Sequence, residues 1–365
     1  MERDSKHATC SECRAPRVSI VMPIFNNVDC LKATIDSILA GTLGNWELLA
    51  VDDGSDEETL ELLETYAQKD NRIRVIRRER LPKGAPTCRN IGLAMAQGEY
   101  IVFFDSDDYV APHCLLQRVS TIAARPELDF MVFPSGLFVD NSFSEQGQTS
   151  LYGYPLFSDD LAGFASRELP FIVWNNIYRT LSLRQHSITW DEELRSLQDA
   201  DFNLSTLLSG MKYEYASARP DYGYRILYDT SSVSAQIMTE KHYSSHLHAL
   251  RTFYERYSER FGHTYDRHLF RGVLSVYNTI ITRQQTSREF NKELASLVGR
   301  YDKFSAFRLR CTMLTHQLLC RFMPSNSSRK LSMLFYLVGR NKRNKQRLAK
   351  IHSIAASTAS DGEAI

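Results

Sequence analysis

The chain opens with short apolar runs that alternate with segments of helical periodicity, and this alternation narrows the possible folds more than any other feature. "RVSIVMPIF" (17–25) is a β-branched run that reads as a buried strand ending at Pro23. In "NNVDCLKATIDSILAG", Leu31, Ile35, Ile38 and Leu39 recur at helical spacing, with Asn and Asp before them and Gly41 after. "WELLAVDDGS" (46–55) is a second strand that ends in acids. Ser55 and Glu58 then form a capping-box pattern ahead of a second helix. "RIRVIRR" (72–78) alternates like a strand, "APTCRNIGLAMAQG" reads as a helix closed by Gly98, and Tyr100–Phe104 is again a strand. The pattern predicts an α/β fold, a doubly wound and mostly parallel sheet flanked by helices. Ligands of such sheets bind beyond the carboxyl ends of the strands. Three polar strand ends, Pro23–Asn26, Asp52–Ser55 and Asp105–Asp108, are therefore expected to converge.

One of these ends is unusual. In "EYIVFFDSDDYVAP" (99–112) a strand runs straight into Asp105, Asp107 and Asp108. Carboxylates side by side each resist ionising beside the others. Either a cation compensates them, or they cap and solvate a loop.

The pattern loosens beyond residue 125. "DFMVFPSGLFV" reads as one more strand, 140–160 as a mobile polar loop, Asp199–Ser209 as a helix and "PDYGYRIL" (220–227) as a short aromatic segment. From about 236 the periodicity is helical, which predicts an α-helical C-terminal extension. From Lys303 to Lys350 there are twelve Lys or Arg and no Asp or Glu, with apolar clusters between them. Such basic amphipathic helices lie on anionic membrane surfaces or pack on a core with a solvated basic rim, and both readings stay open. The expected division is a flexible segment 1–16, a catalytic unit 17–230 and a helical region 231–365 with a basic tail.

Composition excludes several classes. A net charge of +1 gives no general pull toward nucleic acid. No apolar run reaches 18 residues, and "MERDSKHATCSECRAPR" lacks a signal-peptide core, so a cytoplasmic location is expected. Seven cysteines argue against a disulfide framework. Cys10 and Cys13 form a lone C-x-x-C, read as two thiols rather than a zinc site.

The pieces "VSIVMPIFNN", "WELLAVDDGSDEET", "RNIGLAMAQGEYIVFFDSDDYVAP" and, more loosely, "WNNIYR…ITWDEELRSLQDADF" resemble the family 2 glycosyltransferases of the GT-A fold. The resemblance covers roughly residues 17 to 228. It implies inverting transfer of a sugar from a nucleoside diphosphate sugar to an acceptor hydroxyl. Asp105-Ser106-Asp107 matches the family's D-x-D. By that resemblance Asp107 ligates Mg²⁺ or Mn²⁺, with Asp105 supporting the metal or facing the ribose, while the metal neutralises the diphosphate leaving group. Asp108 is read as a loop-solvating or capping acid. Asp52 and Asp53 match the nucleotide-binding acids, with Asp53 on the nucleobase. Pro23 and Phe25 line the same pocket. Arg89, of the "RN" pair with Asn90, either reaches the diphosphate or pairs with an acid at the sheet edge.

An inverting transfer also needs a general base. Asp199 in "Gln198-Asp199-Ala200-Asp201-Phe202" aligns with it, Asp201 being the competitor and a helix cap the bland alternative. Gln198 replaces the family's Glu, and Asn176 replaces a Lys two residues after Trp174. Trp174 is read either as an acceptor-stacking residue or as a core aromatic. Family members with a basic helical tail often build surface polysaccharide (capsule, exopolysaccharide or lipopolysaccharide) on lipid-linked saccharide acceptors. The expectation is therefore a cytoplasmic enzyme whose basic tail either docks at the inner membrane face or packs on its core. The alternative is an inactive relative that binds a nucleotide sugar. A nucleotidyltransferase is disfavoured because "PIFNNVDC" has neither glycine nor base, and a dinucleotide-dependent dehydrogenase because no G-x-G-x-x-G follows the first strand.

Overall fold

The computed structural model describes residues 15–139, 142–144, 152–225, 240–283, 288–322, 345–346 and 349–350. The Cys10/Cys13 pair and most of the basic tail beyond 322 lie outside the described residues.

The expected alternation is present as β1 (Val18–Ile24), α1 (Val28–Leu39), β2 (Trp46–Asp52), α2 (Glu57–Lys69), β3 (Ile73–Arg77), α3 (Ala85–Met95) and β4 (Tyr100–Phe103). All seven residues of β2 are buried, and six of the seven in β1. Helices cover both faces of the sheet, so these strands read as continuous apolar runs rather than as alternation. β1 is the hub, parallel to β2 on one side and β4 on the other, with Ile24 opposite Asp52 and Val21 opposite Phe103. Past Phe103 only Phe104 N still donates to Val21 O, at 3.1 Å.

The second part of the chain completes the sheet. The further elements are β5 (Tyr109–Val110), α4 (Cys114–Ala123), β6 (Phe130–Val132), β7 (Gly136–Val139), β8 (Ser142–Ser144) and α5 (Asp160–Ala165). After a 3-10 turn at Val173–Asn175 come β9 (Asn176–Arg179), α6 (Thr180–Gln185), α7 (Gln198–Leu208), β10 (Tyr213–Tyr215) and β11 (Tyr222–Arg225). The main sheet runs β10-β6-β9-β4-β1-β2-β3, with β9 antiparallel to both of its neighbours. A smaller sheet, β5-β11-β7-β8, sits beside it.

Helices α8 (Glu240–Phe261), α9 (Asp266–Arg283), α10 (Arg288–Tyr301) and α11 (Lys303–Phe322) follow. Their apolar residues, among them Leu250, Tyr254, Val273, Leu294 and Leu309, share one core with Val21, Leu49, Ile101 and Phe103 of the sheet. The opposite face of the sheet buries Ile20, Leu48 and Val102 against Leu31 and Ile35 of α1 and Leu63 of α2. Among the described residues no helix is long and apolar enough to cross a membrane.

Some local expectations are corrected. α2 is capped by Asp56, whose Oδ1 accepts from Thr59 N at 3.0 Å, and not by Ser55, whose Oγ accepts from Asn26 N at 3.0 Å. Gly98 does not close α3, which ends at Met95; a Cβ at Gly98 would lie 2.5 Å from Ser19 N, so close approach of strand backbone is what requires glycine there. "DFMVFPSGLFV" splits into β6 and β7, in different sheets, because Pro134 between them cannot donate to a ladder. The stretch 140–160 contains β8 and the start of α5, while 145–151 lies outside the described residues.

The two sheets meet at a buried ion pair. Arg118 of α4 and Asp221, just ahead of β11, are both fully buried and joined by two hydrogen bonds of 2.9 and 2.6 Å. The remaining Nη1 of Arg118 donates to the carbonyls of Trp174 (2.8 Å) and Asn176 (3.4 Å). Removing one member of such a pair leaves an uncompensated buried charge. Arg118→Met is therefore expected to cost about 3–5 kcal/mol in urea-induced unfolding. The double variant Arg118→Met/Asp221→Leu should recover part of that loss; a double-variant loss equal to the sum of the Arg118→Met and Asp221→Leu losses would show that the pair is not coupled.

Candidate active site

The ends of β1, β2 and β4 come together as their order in the sheet requires. Asn26 and Asn27 take left-handed backbone conformations, φ 56° and 67°, and turn the chain out of β1. Asn26 Oδ1 accepts from Asp56 N at 3.0 Å, which ties this turn to the end of β2. Asp52 closes its own turn by accepting from Gly54 N and Ser55 N, each at 3.0 Å. Asp53 is held from the β3–α3 connection: Arg78 Nε and Gly84 N, the latter at 3.1 Å, both donate to its Oδ1. Gly84 has φ 144°, a conformation that favours glycine. Pro23 lies within β1 opposite Val51. Phe25, just past the strand, is 51% exposed, with the Lys83 ammonium 3.7 Å from the centre of its ring.

The acid cluster is fixed by the smaller sheet. Tyr222 OH accepts from Asp105 N at 3.1 Å and donates to Asp108 Oδ2 at 2.7 Å. Arg225 N donates to Asp108 Oδ1 at 2.8 Å, and Arg225 Nε to the Asp107 carbonyl at 2.7 Å. Thr34 of α1 secures the loop from below by donating to the carbonyls of Ser106 (3.1 Å) and Asp108 (2.6 Å). Asp108 is thus neither the loop-solvating acid nor the helix cap that the sequence led one to expect. It is buried, and burial, with Asp107 and Asp105 adding, holds its carboxyl well above the usual range. Burial and the neighbouring Asp105 also push Asp107 up to about 6. Asp105, Ser106 and Asp107 are partly exposed.

Two neighbouring carboxylates of this kind fit a hard divalent cation, whose charge relieves their repulsion. Among the described residues no three His, Cys, Asp or Glu side chains gather as a metal site. A Mg²⁺ or Mn²⁺ held by Asp107 and Asp105 would thus draw its other ligands from phosphate and water, the usual Mg²⁺ arrangement.

Arg89 links this edge to α7. Its buried guanidinium lies 4.4 Å from the centre of the Trp190 ring, donates through Nη2 to Asp105 (2.6 Å) and through Nη1 to Gln198 Oε1 (3.0 Å). Gln198, where the resemblance calls for Glu, accepts this hydrogen bond without adding charge. Arg89 thereby keeps its positive charge for Asp105 and for Asp199, which follows Gln198 in the first turn of α7. Burial raises the Asp199 carboxyl, Arg89 pulls it back and Asp105 raises it further. Asp199 does not cap α7: the N-cap is Leu197, and no side-chain cap hydrogen bond is made. Asp201 points elsewhere. It is buried against α8, 3.1 Å from Arg256 Nη1, and burial pushes it up to about 6. Two residues along a helix rotate by roughly 200°, so the two acids face different surroundings.

Trp190, Arg80 and Glu192 escaped the sequence reading. Trp190 packs between Phe103 and Phe202. Asn90 Nδ2 donates to Trp190 O (2.9 Å) and Glu192 (2.7 Å), and Asn90 Oδ1 accepts from Trp190 N (2.8 Å), so the second residue of the "RN" pair anchors the ring beneath the first. Arg80 grips Glu192 with two bonds of 2.6 Å. Trp174 is a buried aromatic stacked on Tyr222 (5.0 Å) and Tyr224 (6.0 Å), which puts it beneath the acid cluster. Asn176 is buried in β9 and donates to Tyr178 OH and Asn203 Oδ1.

Residues 19–179 match the family model for glycosyl transferase family 2. The uncharacterized glycosyltransferase EpsJ of Bacillus subtilis (strain 168) is 31% identical over 196 residues, which are 52% of this chain and 56% of EpsJ. The poly(ribitol-phosphate) beta-glucosyltransferase of Bacillus spizizenii is 25% identical over 241 residues, 63% of this chain and 35% of that protein. The chain therefore matches just over half the length of the first relative and a smaller part of the second. The crystal structure of S. aureus TarS 1-349 in complex with UDP-GlcNAc aligns with a TM-score of 0.62 at 19% identity, covering 88% of this chain and 92% of that one. Over residues 19–179 the chain thus carries a match to glycosyl transferase family 2, and its sheet has the GT-A fold.

Proposed function

We propose that this protein transfers a sugar, with inversion, from a nucleoside diphosphate sugar to an acceptor hydroxyl, and that residues 17–230 carry the reaction. The observation that bears most weight is Arg89, which joins Asp105 at the donor edge to the start of α7, where Asp199 stands. The TarS complex with UDP-GlcNAc and the match to a poly(ribitol-phosphate) beta-glucosyltransferase support a nucleotide-sugar donor and an acceptor in surface polysaccharide assembly.

In this reading Asp53, paired with Arg78, accepts a hydrogen bond from the nucleobase, and Phe25 offers an apolar wall with Pro23. Asp52 and Ser106 shape the ribose and phosphate edge. Asp107 with Asp105 would hold a divalent cation, whose charge would offset that of the diphosphate. Asp199 takes the proton of the acceptor hydroxyl as its oxygen bonds to the anomeric carbon. The bond from that carbon to the diphosphate breaks on the opposite side, and the nucleoside diphosphate leaves. A base with a raised pKa suits this step, because it holds the proton more strongly than an ordinary carboxylate while staying ionised near neutrality. The second reading, a relative that binds a nucleotide sugar without turning it over, is favoured by the neutral Gln198 beside Asp199.

Thermal unfolding with nucleoside diphosphates and their sugars, with and without Mn²⁺, tests donor and metal together. A ligand that binds only the folded protein, present at a hundred times its Kd, stabilises it by about 2.7 kcal/mol. The expected result is a metal-dependent rise in melting temperature with one nucleotide class, abolished in Asp107→Ala. No shift with any nucleotide would overturn the proposal.

The two acids of α7 separate in a second test. Asp199→Asn is expected to lower nucleoside diphosphate release from that sugar, with water as acceptor, by about 10²–10⁴-fold, while Asp201→Asn leaves it near wild type. Asp201 should instead act on stability. Its folded pKa lies above the unfolded value, so the folded state holds the proton more strongly; that stability is complete below the unfolded pKa and lost as pH rises to about 6. Relative to Asp201→Asn, the wild type should therefore lose up to about 3 kcal/mol between pH 4 and 6.5 in urea unfolding. Binding without release in either protein would favour the inactive reading.

A further inference from the structure

Helix α11 is apolar on two opposite faces. Ala306, Leu309, Met313 and His316 are buried and form the seam toward the helical core. Phe304, Phe307, Leu314 and Leu318 are 67, 63, 58 and 54% exposed, and the exposed Cys311 falls between them. Positions 304, 307, 311, 314 and 318 advance by three and four residues in turn, so they form one stripe along about 20 Å of helix. Its centre lies roughly 160° around the helix from the buried seam. Isolated exposed apolar residues are ordinary, but an aligned row of them marks an interaction surface. Arg308 lies 5.9 Å from the centre of the Phe304 ring and Leu314 borders a groove with Lys292 and Ala295 of α10, yet the four apolar side chains of the stripe stay more than half exposed.

The charges beside the stripe select its partner. Lys303 and Arg310 are exposed along one border and Arg308 along the other. α11 contains no Asp or Glu, and residues 323–350 add eight more Lys or Arg and no acid. A second copy would set basic border against basic border, and the chain's own continuation carries the same sign; both pairings repel. An apolar row of Phe and Leu between cations complements a surface that is apolar below and negative above, namely the boundary between the acyl chains and the headgroups of an anionic bilayer.

We propose that the outward face of α11 docks this protein on an anionic lipid bilayer, with Phe304, Phe307, Leu314 and Leu318 entering the acyl boundary and Lys303, Arg308 and Arg310 meeting the headgroups. The proposal does not depend on the transfer reaction. Full-length protein is sedimented with vesicles of phosphatidylcholine alone and with vesicles in which about a third of the lipid is phosphatidylglycerol. Anionic vesicles should take up at least about tenfold more protein, and the difference should shrink as salt is raised. Phe307→Ser/Leu314→Ser should lower that uptake about tenfold, because both side chains supply apolar contact to the interface. Its melting temperature and nucleotide-induced shift should stay at wild-type values, since both positions are exposed. Lys303→Glu/Arg310→Glu should remove the preference for anionic lipid. Failure to bind either vesicle would overturn the proposal. So would binding that Phe307→Ser/Leu314→Ser leaves unchanged, which moves the contact off α11, and so would a dimer in vesicle-free sedimentation equilibrium that the same variant splits. The nucleotide shift in the same samples keeps failure of docking separate from failure of the transfer reading.

Discussion

The buried pair of Arg118 and Asp221 organises everything that faces the candidate donor edge. Its carboxylate and guanidinium are both removed from water, which is costly unless every hydrogen-bonding position is used. Here Arg118 also binds the carbonyls of Trp174 and Asn176, so one side chain joins α4, the 3-10 turn and the start of β11. The residue after Asp221 is Tyr222, whose hydroxyl contacts both ends of the acid loop. The position of Asp105 and Asp107 relative to the main sheet is thereby set by a charge pair in the interior. A loop of clustered carboxylates would not hold itself in place, because its members repel. The energy that restrains it comes from Tyr222, Arg225 and Thr34, on elements far away in sequence.

Arg89 plays a comparable part on the other side. It lies over Trp190 and divides its hydrogen bonds between an acid and a neutral amide. With a glutamate at 198, the single guanidinium would face three negative groups. With Gln198 it faces Asp105 and Asp199, and less of its charge is spent within the protein. The replacement that weakens the resemblance on sequence grounds thus has a clear electrostatic consequence, a more positive edge available to an anionic ligand.

The sheet was legible in the sequence where periodicity is local. β1 to β4 and their helices follow from short apolar runs and from the spacing of Leu31, Ile35 and Ile38, and their order on one sheet brings Asp52, Asp53 and Asp105 together. The family motifs marked the same residues. What could not be read depends on partners far apart. Asp108 looked like a loop acid because nothing near it announces burial; its partner Tyr222 lies 114 residues on. Arg118 sits in a helix whose pattern does not reveal that its cation is buried, and Asp221 is 103 residues away. Trp190 carries no local signal either, since its role arises from Arg89 above and Phe202 beneath. The split of 130–139 into two sheets was hidden because both halves are apolar and only Pro134 interrupts them.

Pro23 has a consequence for where the two central strands part. In the parallel ladder between β1 and β4, alternate residues of β1 turn both amide and carbonyl toward β4; Val21 does so, and Pro23 is next in that series. An amide there would reach the Phe104 carbonyl and carry the pairing one step further, but proline has no hydrogen to give. The two strands part at this point, and the chain from Asp105 onward leaves the plane of the sheet toward β11. The pairing of these two central strands ends where it does for want of a single proton, and the acid loop is thereby released toward the smaller sheet.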